Sequence, residues 1–587
     1  MKRYNCFFIA LCLLMVSVGA GAKEYVVAPG NAFAIEAALQ QGRMDKIHGD
    51  SSQTVIRLLQ GCHRLVQSIN LRPEDSGVHI IGEQGATISG GVRVTGWKRQ
   101  GKMYVADQPM FNGRPLCFRQ MWIDGRKAQR ARDVDDFEKM HRILSMDKKK
   151  ECLYVPAEAV KRLKNIEGVE MVLHEMWCIA NLRIKAIEMM GDSAAVYFHN
   201  PESHVHFMHP WPSPMVTTDG HNSAFYLTNS KDLLDSEGEW YLDERIRKIF
   251  YLPSKGENPN EMDVEVPAVE TLLKTEGTAD NRVNSVLIEG VGFEYATWMR
   301  PTYEGHAPLQ AGMYMTEAYK LKPKMERKDN HKLDNQGWVG RPAAAVSINH
   351  SDGIAFRNCQ FAHVASTALD FHLYIKGGEV SGCKFTDIGG SGILAGTFGP
   401  EGHEQHIAYA PTDEREVCDG LVIADNMISD AANEDWGCIG IGAGWVKNIN
   451  IEHNDISEVS YTGISLGWGW NRQVCCMKNN LVCGNLITHY AKHMYDTAGI
   501  YTLGAQPGTK ILENVVSDIC TPSYVHDPNH WFYLYTDEGS SYITVKDNWT
   551  PSEKYLQNAN GPCNVWENNG PQVSATIKAA AGIRKKQ

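Results

Sequence analysis

Several features that would place this chain in a common protein class are missing from its sequence. After the N-terminal segment, no stretch approaches the roughly 20 apolar residues of a transmembrane helix, so we expect no membrane span. The 15 cysteines are spread thinly and include no Cys-x-x-Cys pair, which argues against a zinc site and a dense disulfide scaffold. The net charge is -11 and the acidic residues are dispersed. Because nucleic acids select a basic face, we expect no nucleic-acid partner.

The N-terminal segment has the pattern of an export signal. Two basic residues precede an apolar run at 7–18, and the small residues Ala-Gly-Ala at 20–22 suit a cleavage site. We therefore expect residues 1–22 to be a cleaved signal peptide and the mature protein to begin near Lys23. Such a protein would be secreted or periplasmic.

A repeat runs through the C-terminal half of the chain. Short alternating strands each lead into an Asn or a Cys, followed two residues later by an apolar residue. The residues in this column are Cys359, Cys383, Asn426, Asn454, Asn485 and Asn514. Most of their spacings lie between 24 and 31 residues, which is typical of a solenoid built from short strands. We predict an all-β, right-handed parallel β-helix in which the asparagine amides bond to the coils above and below.

Two consecutive coils near the C-terminus align without a gap over 15 residues. The alignment puts Tyr501 over Tyr535 and Leu503 over Asp537. An apolar position has become acidic one coil further on, so this acid is an addition to the scaffold and suggests a site. Alternation of side chains places Asp537 on the same side as both tyrosines, facing solvent.

The pattern is interrupted between the first coils and the main solenoid, which indicates an inserted domain. Five segments are predicted: a signal peptide at 1–22, a cap with the first coils at 23–97, an inserted mainly β, sandwich-like domain at 98–284, the main β-helix with the active site at 285–570, and a mobile tail at 571–587. Helical spacing at 31–41 predicts the capping helix that repeat proteins require. Charged helical stretches are expected between 133 and 164.

Glycosidases need two carboxyl groups that flank the bond to be broken. Strands of adjacent coils lie about 4.8 Å apart, so acids one or two coils apart fall in the useful range. Asp496 precedes one strand and Asp537 follows the strand of the next coil, which makes them the leading pair. Glu538 is the rival to Asp537, and Glu434 with Asp435, two coils earlier, is the next-best pair.

Aromatic side chains cluster on the same coils. Flat rings stack on the C–H faces of sugars, although tryptophans also cover buried loops. The candidates for substrate contact are Trp436, Trp468, Trp470, His493, Tyr501, Trp531 and Tyr535. Trp468 and Trp470 are the best single candidate because alternation sends both rings to one side.

We expect neither a metal nor a cofactor. His204 and His206 alternate on what we interpret as a strand face, but no third ligand with convincing spacing accompanies them. A calcium-dependent polysaccharide lyase would need a dense acidic cluster beside a Lys or Arg base, and the sequence shows no such cluster. The lyase therefore remains a weaker alternative to the glycosidase, as does a non-catalytic carbohydrate-binding solenoid.

Four sequence lines resemble a known family. They are QMWIDGRKAQRAR at 120–132, EWYLD at 239–243, FEYATW at 293–298 and DTAGIYTLG at 496–504. In this combination the chain resembles glycoside hydrolase family 141 over nearly its whole mature length, and more distantly the β-xylosidases of family 120.

The resemblance implies a glycosidase whose catalytic aspartates are Asp496 and Asp537. Family 141 includes α-L-fucosidases that act on pectic side chains and xylan-cleaving members. The expected activity is therefore release of a terminal sugar, first of all α-L-fucose, from a plant cell-wall polysaccharide or oligosaccharide. A β-xylosidase or xylanase using the same acids is the alternative. We expect a monomer.

Overall fold

A computed structural model describes residues 15–18, 21–209, 211–317, 338–400 and 402–585 of the chain. The expected signal peptide lies outside these residues except for its last part, where the strand Met15–Val18 pairs antiparallel with Ala22–Val27. No helix within the described ranges is long and apolar enough to cross a membrane.

Three long sheets of stacked strands form a parallel β-helix, as predicted. The first sheet, parallel after its opening pair, contains Met15–Val18, Ala22–Val27, Gln53–Leu58, His79–Gly82, Leu287–Glu289, Ala355–Arg357, Glu379–Ser381, Val422–Ala424, Asn450–Glu452, Leu481–Cys483, Lys510–Leu512, Thr544–Lys546 and Val565–Glu567. The second sheet contains Gly61–Arg64, Ala86–Ser89, Gly292–Glu294, Gln360–Val364, Lys384–Ile388, Met427–Ala431, Asp455–Ser457, Leu486–Thr488 and Val515–Val516. The third sheet contains Ile69–Leu71, Leu273–Thr275, Ala344–Ile348, Thr367–Phe371, Ile393–Ala395, Ile441–Ala443, Ile464–Leu466, Thr497–Thr502, Trp531–Thr536 and Tyr555–Gln557.

Two smaller sheets complete the solenoid. A five-stranded parallel sheet lies in the connections from the third sheet back to the first, and contains Val283–Asn284, Ser351–Asp352, Ile375–Lys376, Cys418–Asp419 and Val446–Lys447. A three-stranded antiparallel sheet contains Pro308–Gln310, Met313–Met315 and Val339–Gly340. Its apolar side chains, Leu309 among them, pack with residues of the third sheet and its loops.

The turn between the first and second sheets holds the predicted asparagine column, which we call the asparagine ladder. Asn454 Nδ2 donates to Asn485 Oδ1, and Asn485 Nδ2 donates to Asn514 Oδ1, each at 2.9 Å. The members of the column are Cys359, Cys383, Asn426, Asn454, Asn485, Asn514, Asn548 and Asn569. Because each buried amide bonds the neighbouring coils, the ladder satisfies its polar atoms while it sets the register.

Apolar side chains fill the interior of the solenoid. The rings of Phe293, Phe361 and Phe385 stack in successive coils, with centroids 5.1 and 4.7 Å apart. The helix Ala34–Ile47 buries Ala38 and Leu39 against the first coil, which confirms the predicted cap. The remaining helices are short: Ala157–Val160, Glu202–Met208, Arg300–Glu304 and Ala575–Ala580.

The insertion enters between a second-sheet strand, Ala86–Ser89, and a third-sheet strand, Leu273–Thr275. An eight-stranded sheet contains Gly91–Arg93, Lys98–Gln100, Met103–Asp107, Met121–Ile123, Arg126–Arg130, Glu239–Asp243, Lys248–Tyr251 and Val264–Pro267. A seven-stranded antiparallel sheet contains His141–Arg142, Ser145–Asp147, Cys152–Pro156, Glu170–His174, Ile179–Met190, Ser193–Phe198 and Ala224–Thr228. Each sheet has its own apolar core. The point of entry places the insertion beside later connections between the second and third sheets.

Two local predictions within the insertion are wrong. The segment between 133 and 164 forms strands with one short α-helix, Ala157–Val160, and one 3-10 turn, Phe137–Lys139, because its apolar residues pair across a sheet. His204 and His206 lie on the helix Glu202–Met208 and not on a strand. Residues two apart on a helix face different ways, so His204 is exposed while His206 is buried.

The described part of the C-terminal segment, 571–585, contacts the solenoid, where the sequence predicts a mobile tail at 571–587. Gly582 N donates to Gly484 O at 2.8 Å, and the Arg584 guanidinium pairs with the Asp425 carboxylate. The Lys578 ammonium lies 3.2 Å from the ring centroid of Trp549. The basic residues that suggested a mobile segment are therefore its points of attachment.

Candidate active site

The leading carboxylates flank one pair of adjacent strands in the third sheet. Thr497–Thr502 pairs with Trp531–Thr536, so that Tyr501 lies opposite Tyr535, as the gapless alignment predicts. Asp496 ends the connection before the first strand, and its backbone N donates to His530 O at 2.7 Å.

Asp537 immediately follows the second strand of this pair, where its backbone N donates to Thr502 O at 3.0 Å. Its carboxylate accepts from Tyr501 OH at 2.5 Å and from Asn558 Nδ2 at 2.8 Å. Burial raises the pKa of Asp537 above its ordinary value, these two hydrogen bonds oppose the rise, and the negative charge of Asp496 adds to it. A carboxyl group in this environment keeps its proton to a higher pH, which is what a general acid requires.

Asp496 has a different partner. Its Oδ1 lies 3.1 Å from His530 Nε2. The hydrogen bond to Asp496 raises the pKa of His530, so the imidazole gains a proton more readily beside this carboxylate. The two aspartates therefore differ in their surroundings, because Asp537 is hydrogen-bonded to Tyr501 and Asn558 whereas Asp496 faces His530.

Tyrosine side chains surround the two acids. Tyr461 OH donates to Asp496 O at 3.0 Å, and the rings of Tyr501 and Tyr535 meet edge to face with centroids 5.0 Å apart. Gln310 Nε2, from the three-stranded sheet, donates to Tyr501 OH at 3.2 Å. Burial, reinforced by the nearby aspartates, raises the pKa of Tyr461, Tyr501 and Tyr535, so these hydroxyls remain neutral hydrogen-bond donors.

The other predicted carboxylates have different surroundings. Glu538 follows Asp537 but is exposed, and the contacts with Tyr501 and Asn558 belong to Asp537. Glu434 and Asp435 lie in an earlier connection between the second and third sheets. The charge of Asp496, by contrast, acts directly on the pKa of Asp537.

The predicted aromatic contacts divide into four groups, of which Tyr501 and Tyr535 are described above. The rings of Trp436 and His493 stack with centroids 4.4 Å apart, beside the connection that ends at Asp496. Trp468 and Trp470 do lie together, at 5.2 Å, but Trp468 is only 1% exposed and donates its Nε1 to Gln405 Oε1, so it packs a loop.

Trp531 packs in a different cluster from Tyr501 and Tyr535, although it shares a strand with Tyr535. It packs against the interior core of the solenoid, whereas Phe532 and Tyr535 pack with the cluster outside the third sheet. The ammonium of Lys554 lies 3.8 Å from the ring centroid of Trp531. These contacts account for Trp531 without a ligand.

Residue-by-residue reasoning missed His530, Asn558 and Tyr461. The 34-residue offset that pairs Tyr501 with Tyr535 also pairs Asp496 with His530, so the alignment contained that signal. The other two come from separate coils, and no repeat indicated them. In the part of the chain that the structure describes, no group of three or more His, Cys, Asp or Glu side chains is placed to hold a metal.

Comparison with known proteins identifies the family. A model of the GH141 insertion domain matches residues 101–254. A solved structure titled "Glycoside hydrolase" is 54% identical, with 96% of this chain and 99% of that chain covered and a TM-score of 0.92. The chain belongs to glycoside hydrolase family 141. This family 141 protein is accordingly a glycoside hydrolase whose substrate is a carbohydrate.

Other solved structures are only distantly similar to the family 141 protein, and no conclusion about its function is drawn from them. The complex of XylC with xylose is 12% identical, with 86% of this chain and 65% of that chain covered and a TM-score of 0.42. PfbA, a surface adhesin of Streptococcus pneumoniae, is 10% identical, with 92% and 89% covered and a TM-score of 0.32. No curated protein matches the chain.

Proposed function

We propose that this family 141 glycoside hydrolase is a secreted or periplasmic exo-acting α-L-fucosidase that uses Asp496 and Asp537 as its catalytic pair. The observation that carries the proposal is the placement of two carboxylates at one strand pair, where the charge of Asp496 contributes to the raised pKa of Asp537. A glycosidase needs one protonated and one ionised carboxyl group at the scissile bond. A carboxyl group whose surroundings raise its pKa is a candidate for the acid of such a pair.

In this proposal Asp537 is the general acid. Burial and the charge of Asp496 raise its pKa, so it holds the proton that the leaving oxygen must receive. Asp496 takes the remaining role of base or nucleophile, and its Oδ1 lies 3.1 Å from His530 Nε2. The hydroxyls of Tyr461, Tyr501 and Tyr535, which lie around the two aspartates, remain neutral and therefore add no negative charge to the site.

The choice of fucose rests on the family resemblance, and the structure offers a compatible surface. Fucose is a 6-deoxy sugar with an apolar methyl group. The rings of Phe532 and Tyr535 lie 5.3 Å apart and pack with the cluster outside the third sheet, where such a methyl group could be contacted. Burial of one methyl group there contributes roughly 0.8 kcal/mol.

A panel of 4-nitrophenyl glycosides tests the proposal. We expect release of nitrophenol from the α-L-fucoside and not from the β-D-xyloside. On an oligosaccharide substrate, whose leaving sugar needs the acid, Asp496→Asn and Asp537→Asn should each lower kcat by about 10²- to 10⁴-fold, the range that a general acid or base contributes, with an unchanged melting temperature. Glu538→Gln, one residue away, is the matched control and should keep kcat.

The outcomes distinguish the parts of the proposal. Hydrolysis of the xyloside alone would show that the substrate is a xyloside, but it would leave the assignment of the catalytic pair unchanged. Near-normal turnover in both Asn variants would contradict the assignment of Asp496 and Asp537 as the catalytic pair. Sugar binding without any hydrolysis would indicate a binding protein. For the division of roles, Asp537→Asn should recover activity on glycosides with good leaving groups, which need no acid. Recovery by Asp496→Asn instead would exchange the roles.

A further inference from the structure

A polar cavity, distinct from the proposed catalytic pair, lies between the insertion and the solenoid. It is a cavity of about 280 Å³, near the lower end of the size of small-molecule pockets. The insertion contributes Gln120 and Asn181 to its lining, and the solenoid contributes Ser366 and Asp435. The stacked rings of Trp436 and His493 also line it, and His493 lies three residues before Asp496 in the same connection.

The lining of this cavity contains buried polar atoms that have no hydrogen-bond partner among the described residues. They are Gln120 Oε1, Arg130 Nε, Asn181 Oδ1, His306 Nδ1 and Nε2, Ser366 Oγ and Asp435 Oδ2. His306 Nε2 and Asp435 Oδ2 lie 3.4 Å apart without hydrogen-bond geometry. Leaving a buried polar group unpaired costs about 1–3 kcal/mol, so this concentration in one space indicates a polar occupant.

The unpaired atoms include both donors and acceptors. Gln120, Asn181 and Asp435 offer carbonyl or carboxylate oxygens, which need a ligand that donates hydrogen. Arg130 Nε is a donor, and the Ser366 hydroxyl is both. Burial lowers the pKa of His306, so its neutral ring can donate at one nitrogen and accept at the other. Hydroxyl groups satisfy both needs, since each donates one hydrogen and accepts at its oxygen.

Aromatic rings form the apolar part of the wall. Phe137 meets Trp436 edge to face at 4.7 Å, and Tyr226 lies 6.0 Å from Trp436. Trp298 lines the space from the solenoid side. Rings beside polar side chains suit a sugar, which has C–H faces as well as hydroxyl edges, better than they suit water alone.

Charges in and behind the lining balance. Glu170 pairs with Arg119 and Arg130, at 2.7 and 2.9 Å, and Lys127 pairs with Asp387 at 2.9 Å. Four cationic and four anionic side chains are involved: Arg119, Lys127, Arg130 and Arg132, against Glu170, Asp387, Glu434 and Asp435. Once these ion pairs are counted, the side chains in and behind the lining carry no net charge that would favour a charged ligand over a neutral one.

We propose that this cavity binds one neutral sugar unit through its hydroxyl groups, as a subsite for the part of the substrate beyond the bond that is cleaved. The claim that the unit belongs to the substrate rests on the proposed function, whereas sugar binding itself does not. The insertion then has a specific role, because half of the subsite is built from its strands.

The test uses binding to the full chain carrying Asp496→Asn and Asp537→Asn, which prevents turnover. The probes are L-fucose, D-xylose, D-galactose and D-galacturonate, each followed by saturation-transfer NMR and by soaking into crystals. At least one neutral sugar should occupy the cavity. Gln120→Leu with Ser366→Ala should weaken its binding at least tenfold. The variants should fold, because an apolar group in place of an unpaired polar one is nearly neutral or stabilising.

Ser351→Ala is the matched control, since Ser351 Oγ is also buried and unpaired but does not line the cavity. It should leave sugar binding unchanged. In otherwise wild-type protein, the double variant should raise KM at least tenfold for an oligosaccharide substrate, with kcat unchanged, and leave hydrolysis of the nitrophenyl glycoside unaffected.

Three results would overturn the inference: only water in the soaked cavity, binding equal in the double variant and the control, or selective binding of galacturonate. If the nitrophenyl panel fails but a neutral sugar binds here, the proposed function falls and the sugar site remains. If a nitrophenyl glycoside is hydrolysed but the cavity holds only water, the proposed function stands and the sugar site is contradicted.

Discussion

The asparagine ladder and the cavity at the insertion contain the same kinds of buried polar groups. Those of the ladder are hydrogen-bonded, whereas those of the cavity are not. In the ladder, each described asparagine side chain bonds its neighbours, as Asn454 and Asn485 do at 2.9 Å. In the cavity, the amide oxygens of Gln120 and Asn181 have no partner among the described residues. Both arrangements are buried, so burial alone does not distinguish structure from function. Polar groups that recur coil after coil close their own hydrogen bonds, whereas those at a break in the repeat leave them open.

The largest effect that would test this comparison comes from breaking the ladder at its middle. Asn485 Oδ1 accepts from Asn454 N at 3.0 Å, and its Nδ2 donates to Ile451 O at 2.9 Å. Asn485→Ala leaves several of these buried partners unpaired. At about 1–3 kcal/mol for each lost partner, we expect a loss of about 3 kcal/mol or more in the free energy of unfolding, measured by urea denaturation.

Asn485→Cys is the matched variant, because Cys359 and Cys383 already occupy the same column. It should destabilise the protein less than the alanine variant does. Neither change should alter kcat of the folded protein. A fully stable alanine variant would show that the ladder is a consequence of the register and contributes little to stability.

The ladder and the strand register were accessible from the sequence because they repeat. The offset that placed Leu503 over Asp537 needed only two coils and no knowledge of tertiary contacts. By contrast, Gln310 and Asn558 come from segments 191 residues before and 57 residues after Tyr501. Their contacts follow from tertiary packing between distant segments, which no periodicity encodes. The insertion resisted prediction for the same reason, since its helices and strands carry no repeat.

A smaller effect is expected from the hydrogen bond between Tyr501 and Asp537. This bond stabilises the ionised carboxylate and so lowers the pKa of Asp537 against the effect of burial. In Tyr501→Phe that pKa rises further, and the protonated, active acid persists to higher pH. We expect the alkaline limb of the pH profile of kcat/KM to move up by about one unit, because a bond to a charged group contributes about 1.5–3 kcal/mol.

Tyr461→Phe is the control for that shift. Its hydroxyl donates to the backbone carbonyl of Asp496 and not to a carboxylate. It should leave the alkaline limb in place while lowering stability slightly. A downward shift in Tyr501→Phe, or equal shifts in both variants, would contradict the assignment of Asp537 as the acid.

The smallest effect is expected where the tail meets the solenoid. Arg584 Nε lies 2.9 Å from Asp425 Oδ1, but the two side chains are 52% and 24% exposed. Exposed ion pairs contribute less than about 1 kcal/mol and are screened by salt. Arg584→Ala should therefore lower the free energy of unfolding by less than about 1 kcal/mol, with the difference vanishing in concentrated salt. A salt-independent loss as large as that of Asn485→Ala would mean that the tail is part of the cooperative core. The ladder would then no longer be the main polar contribution to the stability of the last coils.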